Sequence, residues 1–183
     1  MGVYAARLWW MLRWLGHENV AVLDGGYAKW TQEARPVTSV VPQPAPARFA
    51  GQPRAISADA DDVMGSLGQP GRILIDARSP DRYRGENETL DPVGGRIPGS
   101  LNRFFRDNLD ANACFKPAAN LRQAFATLLG NTPPDAVVHS CGSGVSACHN
   151  LLAMEIAGLR GSRLYPGSWS EWCSDPSRPT ETG

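Results

Sequence analysis

Two rhythms of apolar and polar residues run along this chain, and each predicts a different kind of element. Trp9, Trp10 and Trp14 recur at helical spacing, which predicts a helix with an aromatic face turned to the core. Residues 72–76 (Arg-Ile-Leu-Ile-Asp), 136–140 and 162–165 are short segments bounded by turn residues and predict buried strands. Residues 117–129 return to helical spacing with a proline in the first turn, and residues 145–157 predict a further helix. Ser57 is placed to N-cap another helix, whose first turn would set Asp59, Asp61 and Asp62 against the positive end of its dipole. Strands separated by helices predict an α/β fold with a mainly parallel sheet flanked by helices.

One part of this plan occurs twice. Shifted by 142 residues, the N-terminus lies on the C-terminus without gaps: Ala5 falls on Ala147, Gly16 on Gly158, Gly25 on Gly167 and Trp30 on Trp172. Tyr27 meets Trp169 at the same offset. Residues 5–37 and 147–179 share an apolar helix ending at glycine, a short strand, a glycine-containing turn and an aromatic helix. The expected organisation is therefore the closing third of one copy at 1–37, a linker at 38–55 and a whole copy at 56–183. Prolines at 36, 42, 44, 46 and 53 exclude a regular helix or central strand and predict an extended surface linker. With its copy incomplete, residues 1–37 are expected to expose some tryptophans and strand edges, which leaves the oligomeric state open.

Composition narrows the function. The 183 residues are 42% hydrophobic and 20% charged, as in a soluble globular protein. Lys+Arg and Asp+Glu both number 18, so no basic surplus exists to neutralise a phosphate backbone, and nucleic acid is excluded as a partner. The apolar stretch at residues 8–15 is interrupted by Arg13 and is too short to span a bilayer. It also lacks the basic start and small-residue cleavage site of a signal peptide, so a cytoplasmic location without membrane partners is expected. The cysteines at 114, 141, 148 and 173 are irregularly spaced, and free thiols are expected.

Cys141 carries the chemistry. It follows a predicted strand and precedes Gly142-Ser-Gly-Val-Ser and a predicted helix. Carboxyl ends of strands are where open α/β sheets place ligands. The two glycines let successive N–H groups curl towards one anion, and the helix N-terminus adds partial positive charge. Both effects favour a thiolate nucleophile. A cysteine phosphatase would need an arginine six positions on to grip phosphate oxygens. That position is Ala147, which argues against phosphatase or arsenate reductase chemistry.

The loop Cys141-Gly-Ser-Gly-Val-Ser-Ala resembles the active-site loop of the rhodanese superfamily. Within it, the loop is similar to the Cys-Gly-Ser-Gly-Val-Thr-Ala of 3-mercaptopyruvate sulfurtransferases; thiosulfate sulfurtransferases carry Arg-Lys at Gly142-Ser143. Asp76-Ala-Arg-Ser-Pro-Asp-Arg-Tyr-Arg-Gly, Gly95-Arg-Ile-Pro-Gly-Ser-Leu-Asn, Tyr165-Pro-Gly-Ser-Trp-Ser-Glu-Trp and Leu23-Asp-Gly-Gly-Tyr-Ala-Lys-Trp also resemble stretches of these tandem-domain enzymes. The resemblance implies a rhodanese-like domain at 56–183, and a partial second one at 1–37. It further implies that Cys141 accepts a sulfane sulfur as a persulfide and passes it to a thiol, such as thioredoxin, or to cyanide, with no cofactor or metal. Gly142, Gly144, Val145 and Ser146 would cradle donor and persulfide. Ser143 would relay a proton to the leaving group, and Arg82 would hold the donor's anionic group. A second family arginine, nine positions after Arg82, is replaced here by Asp91; Arg84 and Arg96 are the candidates to compensate. Arg96 also stands where the family motif has histidine, a position read as structural.

Two readings stay open: a mercaptopyruvate or thiosulfate sulfurtransferase, and a sulfur-carrying or binding module with little turnover. The other candidates are weaker. His139, Cys141, Cys148 and His149 are not placed to share a zinc ion, since the first two lie on a strand and the last two on a helix. His149 is expected to pack, and Cys148 to be a core residue rather than a resolving thiol.

Overall fold

The computed structural model describes residues 2–183. Its sheet has four parallel strands: β1 (Ile73–Asp76), β2 (Leu101–Asn102), β3 (Val137–Ser140) and β4 (Arg163–Leu164), in the order β2-β1-β3-β4. Ile75 pairs with Leu101 on one side and His139 on the other, and His139 pairs in turn with Leu164. All four residues of β3 are buried, as expected of a central strand covered on both faces.

Among the described residues there are seven α-helices: α1 (Val3–Trp14), α2 (Gly26–Gln32), α3 (Ala60–Ser66), α4 (Pro80–Arg84), α5 (Ala118–Leu129), α6 (Ala147–Ile156) and α7 (Ser168–Trp172). Alternate strand residues face opposite ways and recruit different helices. Ile75 and Val137 pack with Leu121 and Phe125 of α5 and Met154 of α6. Leu74 and Val138 pack with Val63 of α3 and with Trp169 and Trp172 of α7. Each such side chain, once buried, stabilises the fold by about 1.5–3 kcal/mol.

Three expectations change. Ser57 does not cap α3; Asp59 does, accepting from the Asp62 amide in a capping box, while Ser57 forms a parallel bridge to Leu164. The first turn of α3 needs an acceptor, and Asp59 is the residue directly before it. The short strand expected after Gly16 is absent, because among the described residues no sheet edge lies beside it. Nor are the tryptophans of α1 left on the surface. Trp9 and Trp10 are buried with Ala6 against Cys141, Ala147, Cys148 and Leu151, and Trp10 stacks on Trp14 at 5.9 Å. Helix α1 thus shares a core with α6 and with the cysteine loop. Residues 36–55 contain no helix or strand and are largely exposed, rejoining the body where Gln52 and Arg54 donate to the carbonyls of Leu15 and Trp14.

Candidate active site

Cys141 stands one residue beyond β3, and residues 142–146 turn into α6. The start of α7 shapes this turn. The amides of Trp169 and Ser170 donate to the carbonyls of Cys141 and Gly142 at 3.0 and 2.9 Å. The Cys141 amide donates to Ser168 Oγ, whose hydroxyl donates to the Tyr165 carbonyl. With its carbonyls engaged from behind, the loop keeps the N–H groups of residues 142–146 without a protein acceptor among the described residues. Gly144 makes the curl possible: its φ is +71°, and a Cβ there would collide with the Pro166 carbonyl.

The loop opens on a cavity of about 460 Å³. Cys141, Gly142, Ser143, Val145 and Ser146 line it, as does Arg82 of α4; Gly144 lies behind. Val3, Leu90, Asp91, Phe104, Phe105, Arg106 and Ser170 are further lining residues. Of these, sequence reasoning had singled out only Asp91, as a departure. Cys141 is only 2% exposed, so the cavity is its route to a reactant.

Arg82 is not free. Its guanidinium binds both oxygens of Glu88, at 2.7 and 2.8 Å, and lies 3.7 Å from Asp91. Glu88 also accepts from the Leu90 amide and, at 3.5 Å, from Arg78. Burial opposes the charge on Glu88, but the Leu90 amide and Arg82 outweigh it and hold the carboxyl below its usual range. Arg78 is itself buried, bound to Asp76 at 2.7 Å and to the Gly95 carbonyl at 2.7 Å. Asp81 and Glu86, acids near Arg82 in the sequence, are engaged elsewhere, by Asn87 and by Arg84. Arg84 and Arg96 do not replace the missing second arginine. Arg84 faces Glu86 in solvent, and Arg96 is pinned to Glu181 and the Gly183 carbonyl.

The remaining titratable residues pack. Burial pushes the Cys148 thiol up to about 12, and its Sγ donates to the Gly144 carbonyl, so it is a poor resolving thiol. His139 lies against Met154, while His149 stacks on Phe115 at 4.4 Å beside Asn108. Among the described residues no cluster of His, Cys, Asp or Glu could hold a metal ion. Burial pushes His139 down to about 3 and His149 down to about 4. Both rings are therefore neutral in the folded chain, whereas the unfolded chain takes up protons near 6.5. The stability they contribute is complete above pH 6.5 and is lost progressively as pH falls towards 4. Urea unfolding between about pH 7 and about pH 4 should show a falling midpoint, and His149→Gln should flatten the slope; a midpoint insensitive to pH would contradict the neutral rings.

Comparison with known proteins places this geometry. The model of the rhodanese-like domain matches residues 59–175. The chain is 48% identical over its whole length to a probable 3-mercaptopyruvate sulfurtransferase of Pseudomonas aeruginosa, of which it covers 65%. It is 38% identical to the thiosulfate sulfurtransferase of Bos taurus and 37% identical to the 3-mercaptopyruvate sulfurtransferase of Homo sapiens, covering 58% and 59% of those proteins. The chain thus spans less than two thirds of the length of these relatives. Among solved structures, the anaerobic ergothioneine biosynthesis enzyme of Chlorobium limicola matches 99% of this chain with a TM-score of 0.86 at 24% identity, over 45% of its own length. The parallel sheet, the loop at the end of its central strand and a domain match across more than half of the chain agree: this protein belongs to the rhodanese-like domain family.

Proposed function

We propose that this chain is a sulfurtransferase that carries a sulfane sulfur on Cys141. The observation that carries the reading is the Cys141 thiol at the mouth of a loop whose five following N–H groups lack protein acceptors. The Cys141 thiolate attacks the outer sulfur of the donor. A C–S bond breaks in 3-mercaptopyruvate, releasing the enolate of pyruvate; an S–S bond breaks in thiosulfate, releasing sulfite. The Ser143 hydroxyl relays a proton to the enolate. The persulfide's negative charge is held by the N–H groups of Gly142 to Ser146. An acceptor thiol, such as that of thioredoxin, or cyanide then attacks the terminal sulfur, and Cys141 leaves as thiolate. Gly142-Ser143 favours 3-mercaptopyruvate as donor. The four cysteines are free, in keeping with action in a reducing compartment such as the cytoplasm. No described helix is long and apolar enough to cross a membrane.

Residues 1–37 belong to this reading as a repeat of the closing part of a rhodanese-like unit, joined by residues 38–55 to the catalytic unit at 56–183. The offset of 142 residues supports it structurally. It carries the start of α2 at Gly26 onto the start of α7 at Ser168, and the end of α1 at Trp14 onto the end of α6 at Ile156. Backbone of positive φ recurs in register at Gly2 and Gly144, Gly16 and Gly158, and Gly26 and Ser168.

Arg82 borders the site of attack: a Cβ on Gly142 would stand 3.6 Å from its Nη2. Arg82→Ala should raise the donor KM about 10- to 100-fold, the worth of a charge-assisted hydrogen bond, with a smaller change in kcat. An unchanged KM would demote Arg82 to a partner of Glu88. The engagement of Arg82 by Glu88 favours a second reading, a sulfur carrier with little turnover. Steady-state transfer with 3-mercaptopyruvate and thiosulfate side by side decides between them. Repeated turnover supports the enzyme, a single charging of Cys141 detected by mass supports the carrier, and no charging refutes both.

A further inference from the structure

The charges lining the cavity are unevenly satisfied, and the imbalance points to one residue. Around Arg82, two guanidinium groups (Arg78 and Arg82) face three carboxylates (Asp76, Glu88 and Asp91), a local balance of −1. Arg78 and Arg82 are both hydrogen-bonded into that cluster, and Asp91, an acid at the cavity surface, has a buried Oδ2 with no hydrogen-bond partner. An anionic donor meeting Arg82 alone would meet a site whose positive charge is already neutralised. A further charged residue of the cavity differs. Arg106 forms no ion pair among the described residues, and its guanidinium lies 5.7 and 5.9 Å from the ring centres of Phe104 and Phe105. The side chain is exposed, and these rings border the group without neutralising it.

We infer that Arg106 is a second donor-binding residue, the one that selects for an anion: it supplies the uncompensated positive charge that binds the carboxylate or sulfonate end of the sulfur donor. This rests on the sulfurtransferase reading of Cys141 and names the charge class of the donor for that same site. The planar fork of arginine suits either group, because both present two oxygens side by side. Asp91 acts in the opposite sense. It stands 3.7 Å from Arg82 and offsets that charge, so Arg82 offers the donor's anionic end a hydrogen-bonding fork without net charge while Arg106 supplies the charge.

The test uses the full chain and two readouts. In steady state with 2-mercaptoethanol as acceptor, Arg106→Gln should raise the KM for thiosulfate and for 3-mercaptopyruvate about tenfold or more. The acceptor KM and kcat should change far less, and Arg106→Lys should recover part of the loss. A donor KM in Arg106→Gln equal to that of the parent would overturn the assignment. The second readout needs no turnover. Calorimetric binding of thiosulfate to the Cys141→Ser chain should weaken about tenfold when Arg106→Gln is added. Equal affinities would refute the role of Arg106 whether or not sulfur moves. Weakened binding in a parent that never charges Cys141 would instead keep the anion site and refute the sulfurtransferase reading.

Discussion

Cys141→Ser is expected to abolish sulfur transfer to background while leaving the fold in place. A serine hydroxyl is not ionised at neutral pH and forms no persulfide, so both half-reactions lose their carrier atom. The exchange swaps one small side chain for another of similar size. The hydrogen bonds described at position 141 use its main-chain atoms and not its thiol: the Cys141 amide donates to Ser168 Oγ, and the Trp169 amide donates to the Cys141 carbonyl. A hydroxyl at this 2%-exposed position can turn towards the cavity, so the cost in stability should stay near about 1 kcal/mol. Transfer from 3-mercaptopyruvate and from thiosulfate, measured beside thermal unfolding, checks both halves. A variant that keeps the parent rate would remove Cys141 from the mechanism, and one that fails to fold would give the cysteine a structural role that its contacts do not suggest.

The second large effect is on stability. Arg78→Ala should cost about 3–5 kcal/mol, the loss expected when one partner of a buried ion pair is removed. Arg78 is 3% exposed and Asp76 2%, and the guanidinium also reaches the Gly95 carbonyl, Glu88 and the face of Trp169 at 5.0 Å. Removing it leaves the Asp76 carboxylate buried beside β3 with, among the described residues, only the main-chain amide of position 78 as donor. Against a total stability of about 5–15 kcal/mol this is a large fraction, and the urea midpoint reads it directly. Asp76→Asn combined with Arg78→Ala should lose less than Arg78→Ala alone, because the stranded charge is then gone. A single variant within about 1 kcal/mol of the parent would show that water or a neighbour reaches Asp76. Glu88 loses a partner in the same variant, so the donor KM should rise in parallel.

Several parts of the molecule were legible before any coordinates. The apolar runs at 72–76 and 136–140 became β1 and β3, and the helical spacing at 117–129 and 145–157 became α5 and α6 within two residues at their ends. These elements bury a whole face or both faces, and burial imposes a period on the chain that local reading can detect. Cys141 and its glycines were legible for a related reason. A strand, a glycine-rich turn and a helix in succession determine where the intervening side chain emerges.

What the chain by itself determined was thus its α/β class, its parallel strands, and a cysteine in a glycine-rich turn at the end of the central one. Only the tertiary structure decided what surrounds that cysteine. Arg82 meets Glu88 and Asp91 because the segment after α4 folds back over it, and Arg106 arrives from beyond β2. Trp9 and Trp10 found a core in α6, more than a hundred residues away, and the segment after Gly16 found no strand to pair with. Periodicity records which face of an element is buried. It does not record which distant element covers that face or which carboxylate meets a given guanidinium, because those contacts depend on where the chain returns in space.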